Sequence, residues 1–169
     1  MTRRRTLRLE TLEQRMLLAV ITTDGFIDWD TVDKSLFIDT NTTSPDKVAV
    51  SAVAEGSVTY VQVTYNINTT NGSDTTTKVN NGSGGFVETK DVESLEIKTD
   101  RGDDEIDVSG VTASNGYLAK KLDGKIELKG QKDNDQIIGS EFDDILEGRQ
   151  GNDTITCSIR VAPAMPKRS

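Results

Sequence analysis

The sequence predicts an all-β protein, a parallel β-roll or β-solenoid built from nonapeptide repeats and preceded by a β-rich segment. Three observations predict this fold. Residues 130–156 have a nine-residue period, apolar residues alternate between 47 and 65, and no long helical pattern occurs inside 22–156. Only 34% of the residues are hydrophobic and 5% are aromatic, so we expect a thin core.

The nine-residue period divides residues 130–156 into three contiguous rows. Each row begins with glycine, has aspartate at its sixth position and has an aliphatic residue at its eighth. These residues are Gly130, Gly139 and Gly148, then Asp135, Asp144 and Asp153, then Ile137, Leu146 and Ile155. A fourth row at 99–107 keeps Gly102, Asp104 and Ile106 but begins with threonine.

A polar loop followed by a three-residue strand explains this period. Alternate residues of a strand face opposite sides, so each row buries one aliphatic side chain. Nine residues then make half a coil, and rows two apart stack at a spacing of ~4.8 Å. Loop carboxylates stacked in this way repel one another, which predicts a cation between them. Oxygen ligands without histidine or several cysteines suit a hard cation such as Ca²⁺.

The rows resemble the G-G-x-G-x-D-x-U-x nonapeptide of haemolysin-type (RTX) calcium-binding proteins. The resemblance implies a calcium-binding β-roll over residues 99–156, with ions between stacked loops. The ligands would be the sixth-position aspartates and loop carbonyl oxygens. It implies a best site between Asp135 and Asp153, two rows apart. The metal-site residues carried over are Asp135, Asp153, Asp144, Asp104, Gly130, Asp133, Gly148 and Gly151.

The sequence departs from the family pattern in two ways. The second position holds Gln131, Ser140 and Arg149 where the family has glycine, and the fourth holds Asp133 and Phe142 in two rows. Asp144 also has poor partner loops, either 121–126 or 157–162. We therefore expect one or two weak sites, with dissociation constants of about 10⁻⁴–10⁻³ M.

The rest of the chain divides into three parts. Residues 22–98 form the β-rich segment, in which 66–85 is predicted to be a polar loop, and residues 157–169 form an irregular tail. Residues 1–21 are a basic N-terminal export or targeting segment. Within it, residues 12–18 resemble the L-E-x-R-x-L-L motif of exported planctomycete proteins, which implies secretion to the exterior or surface of a bacterial cell. The alternative is a disordered basic start.

Composition excludes several functions. The chain has no histidine and one cysteine, so histidine-based catalysis, zinc clusters and an internal disulfide are excluded. A net charge of −8 argues against nucleic acid as a partner, and no apolar run reaches the ~18 residues of a membrane span. We expect a non-enzymatic calcium-binding protein whose protein or cell-surface partner is unknown. The alternatives are a truncated fragment of a larger repeat protein, or a non-catalytic appendage of a secreted hydrolase.

Overall fold

The structure is a computed structural model that describes residues 20–22, 25–67 and 72–157. This part of the chain contains twelve strands, one helical turn and two 3₁₀ turns. The strands are β1 (Val20–Thr22), β2 (Gly25–Asp30), β3 (Ser35–Asp39), β4 (Lys47–Glu55), β5 (Val58–Asn66), β6 (Thr75–Lys78), β7 (Ser94–Lys98), β8 (Glu105–Asp107), β9 (Ile126–Lys132), β10 (Gln136–Ile138), β11 (Asp144–Gln150) and β12 (Thr154–Thr156). The helix α1 spans Ala119–Leu122, and the 3₁₀ turns span Thr89–Asp91 and Ala113–Asn115.

Sheet I has the strand order β1-β2-β3-β7-β9-β11. From β3 to β11 its strands are parallel, whereas β2 is antiparallel to both of its neighbours, β1 and β3. Every second side chain of β3 and β7 is buried, because successive residues of a strand point to opposite faces of the sheet. Register places one inward column along this sheet, formed by Ile38, Ile97, Leu128 and Leu146.

Sheet II has the order β12-β10-β8-β4-β5-β6. Strands β4, β8, β10 and β12 are parallel, and β4, β5 and β6 form antiparallel hairpins. Its inward column consists of Val48, Ile106, Ile137 and Ile155. The first three are fully buried, whereas Ile155 is 44% exposed because no described strand follows β12.

The expectation of an all-β parallel β-roll is wrong. The chain has a mixed α/β-type fold in which both sheets contain parallel and antiparallel strands, with short helical segments between them. Two features of the sequence cause this. Short polar turns at 31–34 and 56–57 reverse the chain and make hairpins, and a long connection between β8 and β9 holds α1 and a 3₁₀ turn. Residues 75–78, within the segment expected to be a loop, form β6 against β5.

One hydrophobic cluster fills the space between the two sheets. It combines residues from 22–98, such as Trp29 and Ile38, with residues from 99–156, such as Leu122 and Ile137. Strand β3 pairs with β7 and β4 pairs with β8, so the β-rich segment and the repeat segment share both sheets. Among the described residues, no helix is long and apolar enough to cross a membrane. Residues 1–19 of the export segment and 158–169 of the tail lie outside the described residues.

Candidate metal centre

Four polar loops meet on one side of the molecule, each directly before a strand of sheet II. They end at Asp46, Asp104, Asp135 and Asp153, which precede β4, β8, β10 and β12. Main-chain hydrogen bonds tie each loop to the next. The N–H of Glu105 donates to the Asp46 carbonyl (2.9 Å), that of Gln136 to Asp104 (2.8 Å), and that of Thr154 to Asp135 (2.7 Å). The parallel register of sheet II therefore continues into the loops.

The four aspartate side chains form a continuous column, which we call the aspartate column (Asp46, Asp104, Asp135 and Asp153). The Asp46 N–H donates to Oδ1 of Asp104 at 2.8 Å. The Asp104 N–H donates to Oδ1 of Asp135 at 3.0 Å, and the Asp135 N–H to Oδ1 of Asp153 at 3.1 Å. Each bonded carboxylate thus accepts from the main chain of the preceding loop, a charge-assisted bond that joins one coil to the next.

The second oxygens of the two central carboxylates are buried and unsatisfied. Asp104 and Asp135 are each 2% exposed, and neither Oδ2 atom has a hydrogen-bond partner. Burial raises the pKa of Asp104 to about 7, against the lowering effect of the Asp46 amide and of the nearby Thr99 hydroxyl. The charges of Asp46 and Asp135 raise it further. Burial together with the neighbouring charges of Asp153, Asp103 and Asp133 raises the pKa of Asp135 to about 6. The column therefore disfavours its own negative charge unless a proton or a cation compensates it.

The glycine that opens each row makes room for the aspartate five residues later. A Cβ atom on Gly130 would overlap the Asp135 carboxylate, and one on Gly148 would overlap the Asp153 carboxylate. Gly139 has the same relation to Asp144. The joint recurrence of glycine at position one and aspartate at position six is therefore a packing requirement. The Gly130 carbonyl, one of the predicted ligands, accepts a hydrogen bond from the Thr99 hydroxyl at 2.9 Å.

The loop backbone has a left-handed conformation at three row positions that are not occupied by glycine. Gln131 and Arg149, at the second position, have φ of 81° and 72°, and Asp133, at the fourth, has φ of 73°. These values lie in the left-handed region that glycine adopts most readily. Gly151, at the fourth position of its row, has φ of 149° and passes so close to the Asp133 carbonyl that a side chain would not fit.

A second ladder runs beside the aspartate column at the fifth position of the rows. The Asn134 N–H donates to Oδ1 of Asp103 (2.9 Å), and the Asn152 N–H donates to Oδ1 of Asn134 (3.0 Å). The Asp133 carboxylate accepts from the Gly102 N–H at 3.2 Å. Asp133 therefore lies in the stacked loops, where its carboxylate bonds the main chain of the neighbouring loop. This ladder was not predicted from the sequence, although Asp or Asn at the fifth position of the rows is its signal.

Asp144 lies apart from the aspartate column, at the start of β11 in sheet I. Its carboxylate accepts from the Ser140 N–H (2.7 Å) and the Ser140 hydroxyl (2.6 Å). Burial raises the pKa of Asp144 despite these two bonds. Loop 121–126 is its neighbour, since the Gly124 N–H donates to the Asp143 carbonyl at 2.8 Å, but that contact is between main-chain atoms.

Asp46 is the member of the column that is absent from the predicted site residues. Its Oδ2 accepts from the Thr42 hydroxyl at 2.7 Å, and it is 4% exposed. The signal that identifies it is Asp46 followed two residues later by Val48, the same spacing as Asp104 and Ile106. No glycine opens its loop, which is why the nine-residue pattern does not include it.

The donor set of the column partly fits a calcium ion. The two orphaned, buried carboxylate oxygens and the surrounding loop carbonyls are the ligand type that Ca²⁺ prefers. In the described part of the chain, however, no three Asp, Glu or Cys side chains are grouped closely enough to hold a metal ion together. An ion here would take carboxylate oxygens from successive coils and complete its shell with main-chain carbonyls or water.

Comparison with protein-family models, with curated proteins and with solved structures gave no match to this chain.

Proposed function

We propose that this chain is an exported, non-enzymatic calcium-binding protein with a structural or surface-interaction role. One observation carries the proposal: the aspartate column joins successive coils and leaves Oδ2 of Asp104 and of Asp135 buried without a partner. Buried polar atoms normally have partners, and an orphaned one suggests a missing water or ion. The RTX-like rows supply the second line of support.

Calcium would act on the stability of the coil stack. The ion would compensate the charge that burial makes unfavourable at Asp104 and Asp135. Asp104 and Asp135 would supply carboxylate oxygens, with Asp153 at the end of the column. Because these residues connect sheet II coil by coil, a bound ion would stabilise the pairing of β8, β10 and β12.

The proposed location is the exterior or the surface of a bacterial cell, where calcium concentrations reach the range of weak sites. Extracellular modules bind calcium with dissociation constants of about 10⁻⁴–10⁻³ M. The export motif at residues 12–18 supports this location. The partner would be a protein or another cell-surface component whose chemistry the sequence does not specify.

Thermal unfolding with and without calcium tests the proposal. At ~10⁻² M calcium, a site of the expected affinity stabilises the folded chain by about 1.5–3 kcal/mol. We therefore expect the midpoint to rise by several degrees over the value in chelator, and by less in magnesium at equal ionic strength. Asp135→Asn should abolish the rise. Asp33→Asn, the same change on an exposed turn residue, should keep it.

An unchanged midpoint in calcium would overturn the proposal, and so would a rise that persists in both variants. In the first case the amide–carboxylate bonds of the aspartate column suffice without an ion. Isothermal titration of the wild-type chain with calcium is the independent check, since an ion that binds only the folded chain must also raise its midpoint.

A further inference from the structure

A small cleft of about 210 Å³ lies between two turns of the chain, away from the aspartate column. The turn 31–34, which joins β2 and β3, supplies one wall, and residues 81–91 supply the other. The Asp30 carboxylate accepts from two main-chain N–H groups of the first turn, at 2.7 and 2.9 Å. The Asn81 side-chain oxygen accepts from two N–H groups of its own loop, at 2.9 and 3.1 Å. Both walls are therefore formed before a ligand arrives, as those of binding sites usually are.

Three polar groups that line the cleft have no partner among the described residues. The Lys34 ammonium forms no hydrogen bond or ion pair, and its contact is with the ring of Trp29, whose centroid lies 6.0 Å away. The Asp91 carboxylate also forms neither, so a cation and an anion line one small cleft without pairing. Trp29 is 4% exposed, and its indole N–H has no described acceptor.

The other side chains of the cleft are either paired or open to solvent. The Glu88 carboxylate forms an ion pair with Lys90. Thr31 and Ser83 are exposed, and Phe86 is 38% exposed, so the opening carries hydroxyl groups and part of an aromatic ring. A buried tryptophan N–H normally has a partner. A tryptophan without one, beside an unpaired cation and an unpaired anion, indicates a cleft that takes a polar ligand.

The size and the charges of the cleft restrict that ligand. About 210 Å³ is below the range of sites for drug-sized molecules, so the cleft fits one small ring or an amino acid. Lys34 needs an anionic group, Asp91 needs a hydrogen-bond donor, and the indole N–H of Trp29 needs an acceptor. A sugar acid has all three, because it carries a carboxylate and hydroxyl groups that both donate and accept. The main-chain groups of an α-amino acid match Lys34 and Asp91 and leave no third group for the indole.

We propose that this cleft binds one uronic-acid ring of an extracellular polysaccharide. The Lys34 ammonium pairs with the carboxylate of the sugar, the Asp91 carboxylate accepts from a ring hydroxyl, and the Trp29 N–H donates to a hydroxyl oxygen. The exposed opening lets the polymer continue beyond the bound ring. The proposal names a ligand for the surface-interaction role proposed above. It does not depend on calcium, because none of these contacts uses the aspartate column.

Titration of the full chain with galacturonate, followed by the fluorescence of Trp29, tests the proposal. Trp29 is the one tryptophan of the chain and lines the cleft, so its emission should change on binding. Chelator is present, so that the sugar carboxylate does not coordinate calcium. We expect half-saturation on the order of 10⁻³ M, as for a small polar ligand in an open site. Galacturonamide, which lacks the charge, should bind about two- to fivefold more weakly. Trigalacturonate should bind at least as tightly as the single sugar.

Two variants assign the contacts. Lys34→Gln should reduce the affinity for galacturonate to that for galacturonamide and leave the amide unaffected. Asp91→Asn should weaken both sugars to the same extent, because it removes an acceptor that both use. Lys120→Gln, the same change as the first at an exposed lysine of α1, should keep the wild-type affinities. Asp135→Asn should also keep them, which separates this cleft from the proposed calcium site. The melting midpoint of each variant shows that it is folded.

Saturation-transfer NMR on the sugar protons gives a second readout, which detects binding even where the emission of Trp29 does not change. No saturable signal from either method up to ~10⁻² M galacturonate overturns the proposal. Equal affinity for the acid and the amide, or an unchanged preference for the acid in Lys34→Gln, overturns it as well. Glycine that binds as tightly as galacturonate would show that the cleft takes an amino acid. Exclusion of trigalacturonate would show that it does not take a polysaccharide.

Discussion

Asp135 combines a packing role with a buried negative charge. Asp135 accepts a hydrogen bond from the Asp104 amide, and its other oxygen is buried with no partner. The same carboxylate occupies the space that Gly130 leaves free. A motif of glycine and aspartate therefore describes packing and charge together: the glycine admits the carboxylate, and burial of the carboxylate creates the need for a compensating charge.

Without calcium, stability should fall as the pH rises from about 5 to about 8. Asp104 and Asp135 have pKa values raised from 3.8 to about 7 and about 6, so each binds its proton more tightly when folded than when unfolded. This stabilisation is fully present below the pKa of the unfolded state and is lost as the pH rises through the pKa of the folded state. Between pH 5 and 8 the loss corresponds to about two pKa units at Asp104 and about one at Asp135. With ~1.4 kcal/mol per pKa unit and ~2–4 °C per kcal/mol, we expect a drop in melting midpoint on the order of 10 °C.

The measurement is thermal unfolding in chelator across this pH range. Asp104→Asn should flatten the profile, since the amide does not titrate, whereas Asp33→Asn should retain it. Four other carboxylates surround the two groups and disfavour their charged forms in the same way as burial does. They are Asp46, Asp103, Asp133 and Asp153. A melting midpoint that stays constant or rises toward pH 8 would show that burial does not disfavour the charged forms of Asp104 and Asp135.

At the scale of loops and strands, the sequence predicted one stacked pair and not the others. The 18-residue separation of Asp135 and Asp153 follows from the nine-residue rows, and the structure brings these two residues together. Asp104 and Asp135 are 31 residues apart, because α1 and a 3₁₀ turn lengthen the connection between β8 and β9. Asp46 and Asp104 are 58 apart, with two hairpins between them. The nine-residue period therefore predicts stacking only between coils that have no inserted residues between them.

Replacing Gln131 with glycine should stabilise the chain. Gln131 has φ of 81°, a conformation that costs an L-residue roughly 1 kcal/mol or more and costs glycine little. The substitution loses the exposed hydrogen bond from Arg149 at 2.7 Å, a small loss. We expect a net gain of about 0.5 kcal/mol in the free energy of unfolding, measured by urea titration.

The matched control is Gln136→Gly, the same change at an exposed position of β10 whose φ is not positive. Here glycine gains no relief of strain and adds backbone entropy to the unfolded chain, so stability should fall by roughly 0.5–1 kcal/mol. Equal losses at both positions would show that the left-handed conformation of the loop carries no strain that glycine can relieve.

At the scale of the whole molecule, the parallel pairings that merge residues 22–98 with 99–156 could not be read from the sequence. Strand β3 lies beside β7, which is reflected in a 2.7 Å bond between the hydroxyls of Ser94 and Ser35, 59 residues apart. Alternating apolar residues identify strands but not their neighbours, because any inward-facing strand can pack against any other. The alternation around Glu55 and Gly56 is compatible with a hairpin or with two consecutive solenoid strands, and β4 and β5 pair as a hairpin.

A shared core predicts that the two sheets unfold together. Trp29, the one tryptophan, lies in β2 of sheet I, and Ile106 lies in β8 of sheet II, yet both belong to the same buried cluster. Ile106→Ala leaves a cavity in a fully buried site and should cost about 2–5 kcal/mol. The midpoint of Trp29 fluorescence and the midpoint of far-ultraviolet circular dichroism should fall by the same amount.

Ile145→Ala, at a 47% exposed position, should change both midpoints very little. If Ile106→Ala shifts the circular dichroism transition and leaves the Trp29 transition in place, the sheets unfold independently and the described core is not one cooperative unit.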